Sequence, residues 1–377
     1  MKKVVLIPDS FKGTLSSAQI ISIMRERILK YHPQCQIVSI PVADGGEGSV
    51  DSFLSALGGE KIHVRTKGPW NEEIESFYGM LPDKTAVIEM AAAAGLPQVG
   101  DRKDPSKTTT YGVGELILKA ACDGAKRLVI GLGGSATNDA GCGAAAACGV
   151  TFLDGDGKSF IPVGETLDRI HHIDVTTMDE RVKALPITAM CDIDNPFYGP
   201  NGAAAIYGPQ KGADSAMVEM LDKKMIHLSS VIEKERGIKL QDIPGSGAAG
   251  GMGGGMKAFF SAKMQMGIDT VLEITEFDRL AKDADLIFTG EGKIDTQSLR
   301  GKVVIGVARK AKKMGIPVIA IVGDIGDNIA QAYDEGVTGI FSTNRVAVPY
   351  KEARERAESD MMLTMDNLLR FMISMEH

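Results

Sequence analysis

A chain of 377 residues with 44% hydrophobic side chains exceeds the ~150 to ~200 residues of a usual domain and can bury two cores. Its net charge of −7 and lack of a long basic run exclude nucleic acid and anionic membranes as partners, and no apolar stretch reaches the ~18 residues of a membrane helix. Five cysteines without a CxxC pair exclude a disulfide framework and a zinc site, so a cytoplasmic protein with buried free thiols is expected.

The N-terminal stretch reads as β-α-β. Apolar Val4 to Ile7 precede a helix on which Ile20, Ile23, Met24 and Ile28 share a face, and Ile37 to Ile40 follow as a second strand. Ser16 and Gln19 mark the helix start as a capping box. Both strands end in compact polar clusters, Asp9-Ser10-Phe11-Lys12-Gly13-Thr14 and Asp44-Gly45-Gly46-Glu47-Gly48. Open α/β sheets meet ligands beyond the carboxyl ends of their strands, which makes Asp9, Ser10, Lys12, Asp44 and Glu47 candidates. The glycine N–H groups after Asp44 also suit a carboxylate or phosphate at the start of the next helix.

The pattern then changes. Lys61 to Thr66, Glu75 to Leu81 and Thr85 to Glu89 succeed one another with turn-sized gaps, as strands of an antiparallel or mixed sheet do. A helix from Ser106 to Cys122 and a strand Arg127 to Ile130 lead into Gly131-Leu132-Gly133-Gly134-Ser135-Ala136-Thr137-Asn138-Asp139-Ala140-Gly141. Strand, glycine loop and helix start form a phosphate cradle in outline. The spacing Gly131-x-Gly133-x-x-Ala136, with Asp154 or Asp156 downstream, equally fits a dinucleotide fingerprint, and an NAD- or FAD-dependent oxidoreductase is the alternative reading.

Leu185 to Met190 form a further strand that leaves Asp192 at its end, and Met217, Leu221, Met225, Leu228 and Ile232 line one face of a helix from Ala216 to Arg236. Glycines cluster again from Gly245 to Gly255, and such clusters suggest bare backbone approaching a ligand. The C-terminal part returns to βαβ grammar: Leu286 to Thr289, a helix Val303 to Met314, Val318 to Val322, then a helix and a strand ending near Phe341. Its first strand runs into Gly290-Glu291-Gly292-Lys293-Ile294-Asp295. Phosphoryl transfer needs a carboxylate to take a proton, acidic groups to hold Mg²⁺ and a cation to offset charge, and the turns at Asp192 and Glu291 hold all three types. A GxxxxGK[ST] loop, protein-kinase signatures, HExxH and GxSxG are all absent. The expected class is α/β: a doubly wound parallel-sheet domain of residues 1–60 and 262–377, interrupted by an inserted mixed α/β domain of residues 61–261.

As a set and in this order, the motifs at Pro8 to Thr14, Ala43 to Gly48, Gly131 to Gly141, Gly250 to Gly255 and Thr289 to Asp295 resemble the bacterial glycerate kinase family, the type-1 kind without a Walker motif. The resemblance implies a flavodoxin-like domain with an inserted domain and a cleft between them. It also implies Mg²⁺-dependent phosphorylation of D-glycerate by ATP, with 2-phosphoglycerate the favoured product and a homo-oligomer compatible. Physical placement puts glycerate near Asp9, Ser10, Asp44 and Glu47, with Lys12 and Asp192 catalytic and Asp192 as the base. ATP then meets Gly133, Gly134, Ser135 and Lys293, and the metal meets Glu291 and Asp295.

Overall fold

The computed structural model describes residues 1–42 and 45–375. Its strands in chain order are β1 (Lys3–Pro8), β2 (Gln36–Ser39), β3 (Glu60–Lys67), β4 (Glu73–Met80), β5 (Thr85–Glu89), β6 (Arg127–Gly131), β7 (Thr151–Leu153), β8 (Ser159–Phe160), β9 (His172–Asp174), β10 (Ile187–Met190), β11 (Lys263–Gln265), β12 (Leu286–Ile294), β13 (Val318–Ile325) and β14 (Val337–Ser342). They divide between two compact units, one of Met1–Ala43 with Met266–His377 and one of Asp44–Gln265.

The first unit is built on an all-parallel sheet in the order β14-β13-β12-β1-β2. Counted within the unit and read from the other edge this is 2-1-3-4-5, the flavodoxin order, in which the winding reverses between β1 and β12. Val4 to Ile7 are fully buried because helices cover both sheet faces. Helices Ser17–Tyr31 and Tyr350–Met375 close one face through Ile20, Met24, Ile28, Met361, Met365 and Leu369. The helix Val303–Met314 packs against β12 and begins and ends where the sequence predicts. The expected capping box is present: Ser16 Oγ accepts the Gln19 N–H at 3.3 Å and Gln19 Oε1 accepts the Ser16 N–H at 2.9 Å.

The second unit carries a mixed sheet in the order β11-β10-β6-β5-β4-β3, with β5, β6, β10 and β11 parallel and β3 and β4 an antiparallel hairpin on its flank. A smaller antiparallel sheet, β8-β7-β9, follows the glycine loop. Both boundaries differ from the sequence expectation. The helix Ser49–Leu57 lies in this unit because its buried Val50 and Phe53 face β3, β4 and β5, so the unit starts at residue 44 instead of 61. It ends at residue 265 instead of 261 because β11 hydrogen-bonds β10.

All five cysteines are free; Cys35, Cys142 and Cys148 are buried, but Cys122 is exposed at the end of the helix Tyr111–Cys122. Among the described residues no helix is long and apolar enough to cross a membrane.

Candidate active site

In the first unit the clusters after β1 and at the end of β12 are sheet neighbours. Pro8 is registered with Gly290, and the Asp9 N–H donates to the Gly290 carbonyl at 2.8 Å. This is the winding reversal of a 2-1-3-4-5 sheet, where ligands of such sheets bind. Asp9, Ser10 and Glu291 meet there: Asp9 Oδ1 accepts the Ser10 N–H at 2.6 Å, and the charge on Asp9 reaches Glu291. Glu291 is 7% exposed, and its Oε1 is buried without a hydrogen-bond partner among the described residues. Burial, with help from Asp9 and Asp295, pushes its carboxyl up to about 7, against the pull of a Ser298 hydrogen bond and of Lys302.

The other predicted residues of this unit are arranged differently. Asp295 folds back on its own turn, its Oδ1 accepting the Gln297 N–H at 2.8 Å. Lys12 is exposed. Lys293, expected beside the nucleotide loop, belongs to this unit and pairs with Asp324 at 3.9 Å, whereas Gly133, Gly134 and Ser135 belong to the other.

In the second unit, adjacent parallel strands end together: Glu89 on β5 and Met190 on β10 are both registered with Gly131 on β6. Asp192 follows β10 and is half-buried. Glu47 is exposed, and Asp44 lies outside the described residues. The two glycine clusters predicted separately press on one another. Gly133 N–H donates to the Gly45 carbonyl at 2.9 Å, and a Cβ on Gly131 would lie 2.3 Å from that same oxygen. These glycines permit backbone to approach backbone. The Gly250 cluster serves the same end, since a Cβ on Gly250 would sit 1.9 Å from the Thr137 carbonyl.

Neither expected helix start is open to a ligand. Glu89 is buried, and its carboxylate takes the Val50 N–H at 2.6 Å and the Gly48 N–H, capping Ser49–Leu57 from within. Burial nevertheless raises the Glu89 carboxyl. After the glycine loop, the buried Asp139 accepts the Thr110 N–H at 2.7 Å, Thr110 Oγ1 at 2.8 Å and the N–H groups of Gly141 and Gly143 at 3.1 and 3.2 Å. Burial pushes the Asp139 carboxyl upward while these donors hold it down. The helix assigned from Ser106 therefore begins only at Tyr111, because the hydroxyls of Thr108, Thr109 and Thr110 turn to the loop.

What remains of the cradle is narrow. Gly134 is exposed and Gly133 half-buried, and among the described residues the Gly134 N–H finds no acceptor. Ser135 turns inward, away from the role expected for it: Oγ accepts from Lys211 Nζ at 3.2 Å and from the Thr137 N–H at 3.2 Å. Nothing local in the sequence marks Lys211 or Glu89, whose partners are distant, Lys211 meeting Thr137 across 74 residues; Asp139 has near partners in Gly141 and Gly143, but its bonds to Thr110 span 29 residues. The dinucleotide reading fails here, since the helix after the loop, Cys142–Ala147, has six residues and its start is filled by Asp139.

The glycerate kinase family profile matches residues 4–373. The chain belongs to the glycerate kinase family. The Bacillus subtilis glycerate kinase is 43% identical over 96% of this chain and 95% of its own length. The Escherichia coli K12 glycerate 2-kinase is 42% identical over 90% of each. A crystal structure from Salmonella typhimurium LT2, of a protein assigned as glycerate kinase 2, superposes with a TM-score of 0.87 at 37% identity, covering 100% of this chain and 99% of that one. As a member of this family the chain is a kinase acting on glycerate with ATP as phosphate donor, and the oxidoreductase alternative drops away.

Proposed function

We propose that this glycerate kinase acts in the cytoplasm and phosphorylates the 2-hydroxyl of D-glycerate, the position named for its Escherichia coli relative. The observation that carries the site assignment is Glu291, a buried carboxylate with an orphaned oxygen at the β1/β12 reversal, beside Asp9. A carboxylate so placed calls for a cation. Among the described residues no group of three or more potential ligands could hold a metal alone, yet Mg²⁺ characteristically takes one or two carboxylates and completes its shell with water and substrate phosphates. Glu291 with Asp295 or Asp9 fits that demand, and bound Mg²⁺ supplies charge neutralisation on the phosphates.

The chain's own groups take the remaining tasks. Asp9, Ser10, Asp44 and Glu47 are assigned to glycerate, with exposed Lys12 as a reaching cation for the transferring phosphoryl group. Gly133 and Gly134 are assigned to the nucleotide phosphates, with the exposed Gly134 N–H as the donor because the Gly133 N–H is held by the Gly45 carbonyl, and Lys293 is assigned to the nucleotide as well. Asp192 receives the hydroxyl proton. The test is ADP release with a panel of small hydroxy acids, with the product identified by NMR. Turnover of D-glycerate to 2-phosphoglycerate that stops in EDTA is expected; 3-phosphoglycerate as product, or full activity in EDTA, refutes the assignment.

A further inference from the structure

Lys211 closes the short turn Pro209–Lys211 and is 2% exposed. Its Nζ donates to the Thr137 carbonyl at 2.7 Å and to Ser135 Oγ at 3.2 Å. Ser135 Oγ in turn donates to the Ala249 carbonyl at 3.3 Å, so the lysine ties the back of the glycine turn to the start of the helix Ala248–Phe260. A buried ammonium is costly unless it is paired. Here both acceptors are neutral, and the nearby carboxylate, Asp139, is committed to Thr110, Gly141 and Gly143. Two of the three ammonium protons are accounted for by Thr137 and Ser135. Exposed Gly134 immediately precedes Ser135, so an anion on that glycine would lie one residue from the contact of the lysine.

We propose that Lys211 is the positioning residue of the nucleotide turn, holding Gly133 to Ser135 in place for a phosphate and taking a proton from solvent when that phosphate binds. The inference rests on the reading that nucleotide phosphates meet Gly133 and Gly134. The step is a proton transfer alone: a buffer acid loses its proton, and the amine lone pair of Nζ gains it. Burial holds the Lys211 amine down at about 7, while Asp139 raises it. Lys103 approaches Gly212, Tyr207 ends the helix before the turn and Asp214 caps the helix after it; of these charged and titratable neighbours Asp139 is the one whose charge bears on Nζ. Added negative charge in such a desolvated place favours the cation.

Calorimetric titration of the whole protein with ATP, without glycerate, in buffers of different ionisation enthalpy counts the protons. At pH 7.5 a group titrating at about 7 is about three-quarters unprotonated, so wild type should take up as much as ~0.7 proton more than a variant lacking the amine. Lys211→Met should lose that uptake and bind ATP roughly tenfold more weakly. Lys211→Arg should keep the binding yet exchange no proton, because guanidinium stays charged. A merely structural lysine would not separate these two readouts. Equal proton counts in wild type and Lys211→Arg overturn the inference, and that comparison stands if the Met variant does not fold. Gly134→Ala separates the two ideas. If ATP affinity survives both Gly134→Ala and Lys211→Met, the phosphate reading itself fails. If Gly134→Ala loses ATP while the counts stay equal, only the role of Lys211 falls.

Discussion

Glu291→Gln should stabilise the first unit, and by an amount that depends on pH. The native carboxyl is pushed from its ordinary 4.5 up to about 7. Between those values the folded chain binds more protons at this group than the unfolded chain does, so stability falls as pH rises through the window. The cost is absent below pH 4.5 and complete above about 7, where the shift corresponds to roughly 3 kcal/mol. Glutamine keeps the shape and never ionises, so the variant gains that much at pH 8 and little at pH 4.5. For a unit of this size the gain is about 6 to 12 °C in Tm at pH 8. Trp70, the chain's one tryptophan, lies in the other unit and cannot report the change, so scanning calorimetry in EDTA at pH 4.5, 6, 7 and 8 is the assay. Added Mg²⁺ should raise the wild-type transition and leave the variant's unmoved. A gain that is the same at every pH would refute the buried-carboxylate account.

Lys12→Ala should lower kcat/KM by about 10²-fold with little change in Tm, since the side chain is exposed; a normal kcat/KM removes Lys12 from the chemistry. Asp192→Asn should lower kcat by ~10² to ~10⁴ and leave KM for ATP unchanged, and a variant that loses only ATP affinity would make Asp192 a ligand of the nucleotide or metal. Gly133→Ala would set a Cβ 2.5 Å from the Gly46 Cα, so both glycine segments must move. A loss of about 1 to 3 kcal/mol in urea unfolding is expected together with weaker ATP binding, and an unperturbed variant would contradict the close approach.

Local rules were readable and tertiary choices were not. The Ser16–Gln19 cap, the bounds of Val303–Met314 and the buried run Val4 to Ile7 depend on residues within a turn or a strand of one another, and all appear as expected. The helix Ser49–Leu57 was itself a local feature, but its allegiance depended on whether Val50 and Phe53 found one sheet or the other, and that lies outside any sequence window. The candidate site divides the same way. Asp9 and Ser10 follow β1 as the sequence suggests, whereas Glu291 lies inside β12, which runs on to Ile294 instead of ending at Thr289 because Glu291, Lys293 and Ile294 pair with β13. The inward turn of Ser135 was not legible, because it answers to Lys211 from a distant turn.

The glycine loop shows that the outline of a motif does not fix the means by which it could hold an anion. Strand, glycines and helix start suggest that the helix end would attract phosphate. In this chain Asp139 already occupies that end, buried and accepting four close donors, so the helix contributes nothing to an incoming anion and a fixed negative charge lies behind the loop. A triphosphate would be repelled there unless a cation intervened. The charge on Asp139 reaches Lys211, whose Nζ rests on Ser135 and Thr137 of the loop itself. With the amine neutral the pair is net negative; with it protonated the pair is neutral, and the exposed Gly134 N–H can meet phosphate without opposition. If the loop takes the nucleotide phosphates as proposed, protonation of this one buried lysine governs its acceptance of an anion, and nucleotide affinity should strengthen as pH falls toward 7.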